Sequence, residues 1–271
     1  MKEWPLADGR VISYRQAGSG PTLVLLHGWA MSSAVFGEAL QALSDEFCVL
    51  APDLPGHGQS SAGKDYGLDA LAADLAAWMQ GLKLTEIRLL GWSLGGQIAL
   101  RLARLVSLTN QRLSRLLLVA TTPRFVANAD WPHGLAEGQV RIMARGLGRR
   151  FTRTLDDFFV QQFGAHELSA ERRQWLLAQL SPRAIPPQPK AALAALQTLR
   201  VSDLRSQLTG LALPALVMHG TEDRIVSLAA GRYLADMLPQ SHFQMLSQAG
   251  HAPFLSDPQT NFKLWREFCR P

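Results

Sequence analysis

Ile87-Arg88-Leu89-Leu90-Gly91-Trp92-Ser93-Leu94-Gly95-Gly96 is a short apolar run that closes on glycine, serine and glycine, then passes into the helical spacing of Leu94 to Leu105. A G-x-S-x-G sequence between a buried strand and a helix marks a turn too tight for side chains on either side of the serine. That turn lifts the hydroxyl above the sheet at a helix N-terminus, where unpaired N–H groups favour negative charge. Gly96 extends the small-residue stretch and lets the helix pack closely. The reading is an α/β fold with Ser93 as a nucleophile.

Outward from this stretch, short apolar runs alternate with helical patterns, the signature of βαβ units and a parallel sheet. Thr22 to Leu26, Cys48 to Ala51, Ile87 to Leu90 and Leu116 to Ala120 read as strands buried on both faces. Leu68 to Leu82 has helical spacing. Ala215 to His219 and His242 to Leu246 resume the strand pattern, and Pro258 to Phe268 is the last expected helix. Between them, residues 124–200 contain helix-like stretches at Gly138 to Leu147, Thr154 to Phe163, Ala170 to Leu180 and Lys190 to Leu199, broken by Ile185-Pro186-Pro187-Gln188-Pro189. The expected organisation is a core of residues 1–123 and 201–271 with a helical lid at 124–200.

With 271 residues, 47% hydrophobic and 18% charged, the chain has the composition of one large globule with an insertion. No apolar run approaches the roughly 20 residues that span a bilayer, so no membrane association is expected. Met1 to Arg10 (MKEWPLADGR) lacks the apolar segment of a secretory signal. Cys48 and Cys269 form no disulfide framework, and no Cys/His cluster has metal-ligand spacing. A cytoplasmic monomer without a metal is the expectation. The net charge is +5, and residues 124–200 hold eleven Lys and Arg against six Asp and Glu, so all of it lies in the insertion and the remainder is neutral.

A serine hydroxyl needs a base to take its proton. Of seven histidines, His251 follows the last expected strand, in the place where a serine of this kind takes its base after its acid in chain order. His27 and His57 lie in turns before the serine, His133 and His166 in the insertion; His219 ends a strand and His242 begins one. A carboxylate must hold the imidazole from the other side. Asp223, in the loop after the preceding strand, is the expected acid, with Glu222 and Asp203 as rivals. The oxyanion formed on attack needs two donors, worth about 3 kcal/mol each. They are expected from the backbone N–H groups of Leu94 and of Trp29 in His27-Gly28-Trp29. This chemistry requires no cofactor.

His27-Gly28-Trp29, Asp53 to Ser60 (DLPGHGQS), the serine turn, Gly220 to Val226 (GTEDRIV) and Ala249 to Phe254 (AGHAPF) together resemble the α/β-hydrolase superfamily, over nearly the whole chain. DLPGHGQS resembles a structural loop of that superfamily. Within it the chain is most similar to the pimeloyl-[acyl-carrier protein] methyl ester esterases of biotin synthesis, through GWSLGG, Thr121 to Phe125, Asp130-Trp131-Pro132, Asp203-Leu204-Arg205 and His251 to Phe254. The resemblance implies substrate contacts at Trp29, Ser93, Leu94, His251 and the lid segment Phe158, Phe159, Val160, Gln161 and Gln162. It implies carrier-protein contacts at Arg153, Arg172 and Arg173. Asp157 departs from the pattern, standing where that family has arginine.

Two readings concern the lid. Phe125, Trp131, Met143, Phe158, Phe159 and Phe163 are expected to build an apolar acyl channel, or else to seal the lid against the core. Arg141, Arg145, Arg149 and Arg153 recur every four residues, which predicts one basic helical face. With Arg150, this face suits an acidic acyl-carrier protein bearing the pimeloyl methyl ester better than nucleic acid, for which a neutral core offers no purpose. Rival functions are another small-ester, lactone or carbon–carbon bond hydrolase, or a non-catalytic receptor; the serine at the turn disfavours haloalkane and epoxide chemistry.

Overall fold

The computed structural model describes residues 1–106, 112–182 and 184–270. In chain order its strands are β1 (Lys2–Pro5), β2 (Val11–Ala17), β3 (Thr22–Leu26), β4 (Cys48–Pro52), β5 (Ile87–Trp92), β6 (Leu113–Val119), β7 (Ala215–Gly220) and β8 (Ser241–Leu246). They form one sheet in the order β1-β2-β4-β3-β5-β6-β7-β8. The six strands from β4 to β8 run parallel, and β2 and β1 add an antiparallel edge.

The helices are α1 (Gly37–Leu43), α2 (Leu68–Gly81), α3 (Leu94–Val106), α4 (Glu137–Arg149), α5 (Phe151–Gln161), α6 (Ala170–Leu180), α7 (Pro189–Val201), α8 (Leu228–Met237), α9 (Pro253–Ser256) and α10 (Pro258–Cys269). Several starts are set by side-chain caps. Ser169, Ser227 and Asp257 accept from the backbone N–H groups of Arg172, Ala230 and Thr260, worth about 1 kcal/mol each. No described helix is long and apolar enough to cross a membrane.

Strand periodicity divides the core in two. Along β3, Val24 and Leu26 face a cluster with Trp78, Ile98 and Leu234, whereas Leu23 and Leu25 face one with Phe36, Phe254 and Trp265. Burial on both faces accounts for the unbroken apolar runs, each leucine contributing roughly 1.5–3 kcal/mol. The expected strands and helices are all present, with no end moved by more than three residues. Not foreseen were β1, β2, α1, α8 and α9. Strand β1 is a mostly exposed edge with little apolar pattern, joined to β2 by a turn in which Gly9 has φ +85°.

Helices α4 to α7 lie between β6 and β7. The ends of this insertion are clasped by the Arg124–Asp203 ion pair at 2.8 Å and by Leu204 N–H donating to the Pro123 carbonyl. The Trp29 indole donates to the Ala192 carbonyl of α7 at 2.8 Å, tying the insertion to the core. Arg172 donates to both Glu38 carboxylate oxygens and to the Leu255 carbonyl, and lies over the Trp175 ring. It thereby holds α6 on the core, so the guanidinium expected at a carrier contact is engaged within the chain. The four-residue arginine stripe is also corrected. Helix α4 runs through Gly146 and Gly148 but stops at Arg149; Arg150 has φ −146° and ψ 56°, so Arg153 belongs to α5.

The DLPGHGQS loop is internally braced. The Asp53 carboxylate accepts from the N–H groups of Ser33 at 2.7 Å and Gln59 at 2.9 Å. His27 donates through Nδ1 to the Gly28 carbonyl and accepts from Leu54 N–H at Nε2. His57 donates to the Pro55 carbonyl at 3.0 Å. Burial, assisted by the neighbouring His27, pushes the His57 imidazole down to about 3, and burial also lowers that of His27. In the unfolded chain each takes a proton near pH 6.5. The contribution of each is therefore complete above pH 6.5 and is lost as pH falls below it, for His57 down to about 3, by up to about 1.4 kcal/mol per pH unit for each histidine. Chemical denaturation at a series of pH values should show this loss below pH 6.5, with a smaller slope in His57→Asn; an unchanged slope would exclude His57 as a source.

Candidate active site

The site lies at the C-terminal ends of the parallel strands, where loops from β3, β5, β7 and β8 meet. Ser93 follows β5 with φ +56°, a left-handed conformation that costs a non-glycine residue on the order of 1–2 kcal/mol. Its backbone N–H donates to the Val119 carbonyl at 3.0 Å, and its carbonyl accepts from Gly96 at 2.9 Å. The flanking glycines are required by space. A Cβ on Gly91 would run into the Gly95 carbonyl, one on Gly95 into the Leu26 carbonyl, and one on Gly96 into Thr121.

His251 is anchored through its backbone. Its N–H donates to the Gln162 carbonyl at 2.7 Å, and its carbonyl accepts from the Trp92 indole at 2.8 Å. The lid thus holds one side of the histidine and the residue preceding Ser93 holds the other. His251 Nδ1 lies 2.8 Å from Asp223 Oδ2. Because a carboxylate accepts, Nδ1 carries the hydrogen and Nε2 presents its lone pair. Nε2 is buried with no hydrogen-bond partner among the described residues.

The Asp223 side chain is fully buried. Its Oδ1 accepts from the N–H groups of Ile225 at 2.8 Å and Val226 at 2.9 Å, and its Oδ2 lies 3.1 Å from His219 Nε2. Burial alone would raise this carboxyl. The charge of His251 and hydrogen bonds from His219 and His251 outweigh that effect and hold it well below the usual carboxylate range. The two rivals lie elsewhere: Asp203 is engaged by Arg124 and Arg205, and the exposed Glu222 lies against Gly164.

The Gly28-Trp29 loop is packed against Ser93, since a Cβ on Gly28 would stand 3.3 Å from the Ser93 Cβ. Neither Leu94 N–H nor Trp29 N–H makes a backbone hydrogen bond in the turns and loops among the described residues. The Trp29 indole is buried and meets Phe158 edge to face at 4.7 Å.

The expected lid residues separate. Phe125, Met143 and Phe158 line a cavity of about 200 Å³ with Leu135, Gln161 and Ile225. A smaller space of about 160 Å³ adjoins it beside Arg150 and Asp157. Trp131 is buried against His133 and Tyr233. Phe159 and Phe163 pack on each other at 5.7 Å within the cluster that holds Phe36, Trp92 and Phe254, the sealing arrangement of the two expected for them. Val160 is 43% exposed. Gln162 is buried and acts through the carbonyl that receives His251. Arg149 and Arg150 are exposed, Arg153 is 73% exposed and 3.8 Å from Asp157, and Arg173 is half-buried. Sequence reasoning missed the Gln162 carbonyl, for which side-chain type carries no signal, and His219, whose signal was its position four residues before Asp223.

The α/β-hydrolase fold family matches residues 21–258. A pimeloyl-[acyl-carrier protein] methyl ester esterase from Nitrosomonas europaea is 38% identical over 248 residues, covering 92% of this chain and 95% of that protein. One of the same name from Aeromonas salmonicida is 37% identical over 264 residues, covering 95% and 98%. Among solved structures, an esterase from Exiguobacterium antarcticum superposes with a TM-score of 0.88 at 25% identity, covering 98% of each chain. The chain belongs to the α/β-hydrolase fold family and, within it, to the family of pimeloyl-[acyl-carrier protein] methyl ester esterases.

Proposed function

We propose that the chain is a serine carboxylesterase that removes the methyl ester from a pimeloyl chain carried on acyl-carrier protein. The observation that carries this reading is the buried His251 imidazole, bound to Asp223 through Nδ1 and unpartnered at Nε2, on a loop tied to the residue before Ser93. The names of relatives 33–38% identical supply the substrate.

In this reading Ser93 Oγ attacks the ester carbonyl and passes its proton to His251 Nε2. The N–H groups of Leu94 and Trp29 hold the oxyanion, and Asp223 stabilises the imidazolium. The intermediate collapses as His251 returns the proton to the departing methoxy oxygen, leaving methanol and an acyl-enzyme. Water, deprotonated by His251, then attacks the acyl carbonyl, and on collapse His251 returns that proton to Ser93 Oγ as the acid product leaves. The cavity bounded by Phe125, Met143 and Phe158 supports an apolar acyl contact. Residues 124–200 act as the lid on a core of 1–123 and 201–271. The exposed Arg149, Arg150 and Arg153 face an acidic carrier that stays outside while its tethered ester reaches Ser93.

Ser93→Ala should lower turnover of a p-nitrophenyl ester by about 10⁴-fold or more without unfolding the protein; retention of most activity would refute the nucleophile. Replacing Arg149, Arg150 and Arg153 with glutamate should slow hydrolysis of carrier-bound methyl ester roughly tenfold or more at low salt, chiefly through association, and leave small esters unaffected. Equal losses on both substrates, or none on either, would contradict docking on this surface.

A further inference from the structure

His219 is the penultimate residue of β7, four residues before Asp223, and its ring is fully buried. Its Nε2 lies 2.9 Å from the Val226 carbonyl and 3.1 Å from Asp223 Oδ2. A carbonyl only accepts, so Nε2 carries the hydrogen. That single N–H is shared between the carbonyl and the same carboxylate oxygen that receives His251 Nδ1 at 2.8 Å. Two imidazoles therefore converge on Oδ2, one from the end of β7 and one from the loop after β8, while Oδ1 is held by backbone N–H groups of Ile225 and Val226. The ring fits because residue 231 of α8 is glycine. A Cβ there would overlap His219 Nδ1, an atom with no hydrogen-bond partner among the described residues.

We infer that His219 is a positioning residue of the triad: it keeps Asp223 Oδ2 in line with His251 Nδ1 and sets how strongly that oxygen holds the imidazolium. The inference rests on the Ser93–His251–Asp223 reading above. A second donor on Oδ2 spreads its negative charge and makes it a weaker acceptor for His251. Without that donor Oδ2 is more basic and grips the imidazolium more firmly. His251 then keeps its proton to a higher pH in the free enzyme and delivers it more slowly to departing methanol. The other charged side chains around the pair are Glu167, whose carboxylate accepts from Gly164 N–H, Glu222 against Gly164, and Arg224 next to Asp223. On α8, Arg232 is turned to Phe243 and Tyr233 to Trp131. The variants below leave all five in place.

The test measures p-nitrophenyl ester hydrolysis from pH 5 to 9 for the wild type, His219→Leu, His219→Gln and Gly231→Ala, with thermal melting to verify folding and fluorophosphonate labelling of Ser93. In His219→Leu, kcat should fall about tenfold with little change in KM, far short of the ~10⁴-fold loss when the wrong tautomer is held. The acidic limb of kcat/KM should move up by about half to one pH unit. A glutamine side chain offers an amide N–H to the same oxygen, so His219→Gln should recover most of kcat and restore the limb. Gly231→Ala, which displaces the ring, should reproduce the leucine phenotype. A folded leucine variant with an unmoved limb, or a glutamine variant as impaired as leucine, overturns the inference. If the leucine variant does not fold, Gly231→Ala decides by the same criterion. A wild type that fluorophosphonate does not label refutes the triad reading itself, whereas a labelled wild type with an unmoved limb refutes only the role of His219.

Discussion

The peptide N–H of His251 donates to the Gln162 carbonyl at 2.7 Å, and the His251 carbonyl accepts from the Trp92 indole at 2.8 Å. These two backbone bonds fix the loop that carries the proposed base between the lid and the serine turn. With the main chain so held, the imidazole has only its two side-chain torsions left, and Asp223 restrains them through Nδ1. The insertion therefore bears directly on the site: a shift of the last turn of α5 would be transmitted through the Gln162 carbonyl to His251. Arg172, bound to Glu38 and Leu255, and the Trp29 indole, bound to Ala192, hold the lid helices at that position.

The sheet supplies the rest of the constraint. Parallel strands bring their C-terminal ends to one edge, so the Ser93 turn and the loops that carry Asp223 and His251, far apart in sequence, gather there without any one loop being long, with His251 bound to Asp223 and to the Trp92 indole. The left-handed Ser93 costs conformational energy that persists because the surroundings leave it no alternative. Val119 and Gly96 hold its backbone, and the close approach of Gly95 to the Leu26 carbonyl leaves no room for relaxation. A stiff, doubly buried sheet is what maintains such a turn.

Most of this was legible in the chain. Buried parallel strands announce themselves as apolar runs, and the glycine spacing around Ser93 has few other uses, so the central strands and the serine turn could be read directly. Loop position together with the GTEDRIV pattern favoured Asp223 over Glu222 and Asp203, and in the structure Asp223 is the one that reaches His251. The antiparallel edge was hidden because β1 is exposed and carries no apolar alternation, although Asp8-Gly9 was a turn signal. In the lid, helical spacing places Phe159 and Phe163 on one face without saying which neighbour that face meets; it meets the core, while Phe158 meets the cavity. The arginine periodicity failed for a related reason, since spacing by four continues across Arg150 where the helix does not.

The chemistry proposed for this site serves a carrier-borne pimeloyl methyl ester. The direct measurement is growth without biotin of a bacterium whose own esterase for this ester has been deleted. Supplied with this chain, the strain should grow, and the Ser93→Ala form, present at the same level, should leave it dependent on biotin. Failure of the wild-type chain to restore growth, when it is folded, expressed and active on small esters, would contradict the assignment.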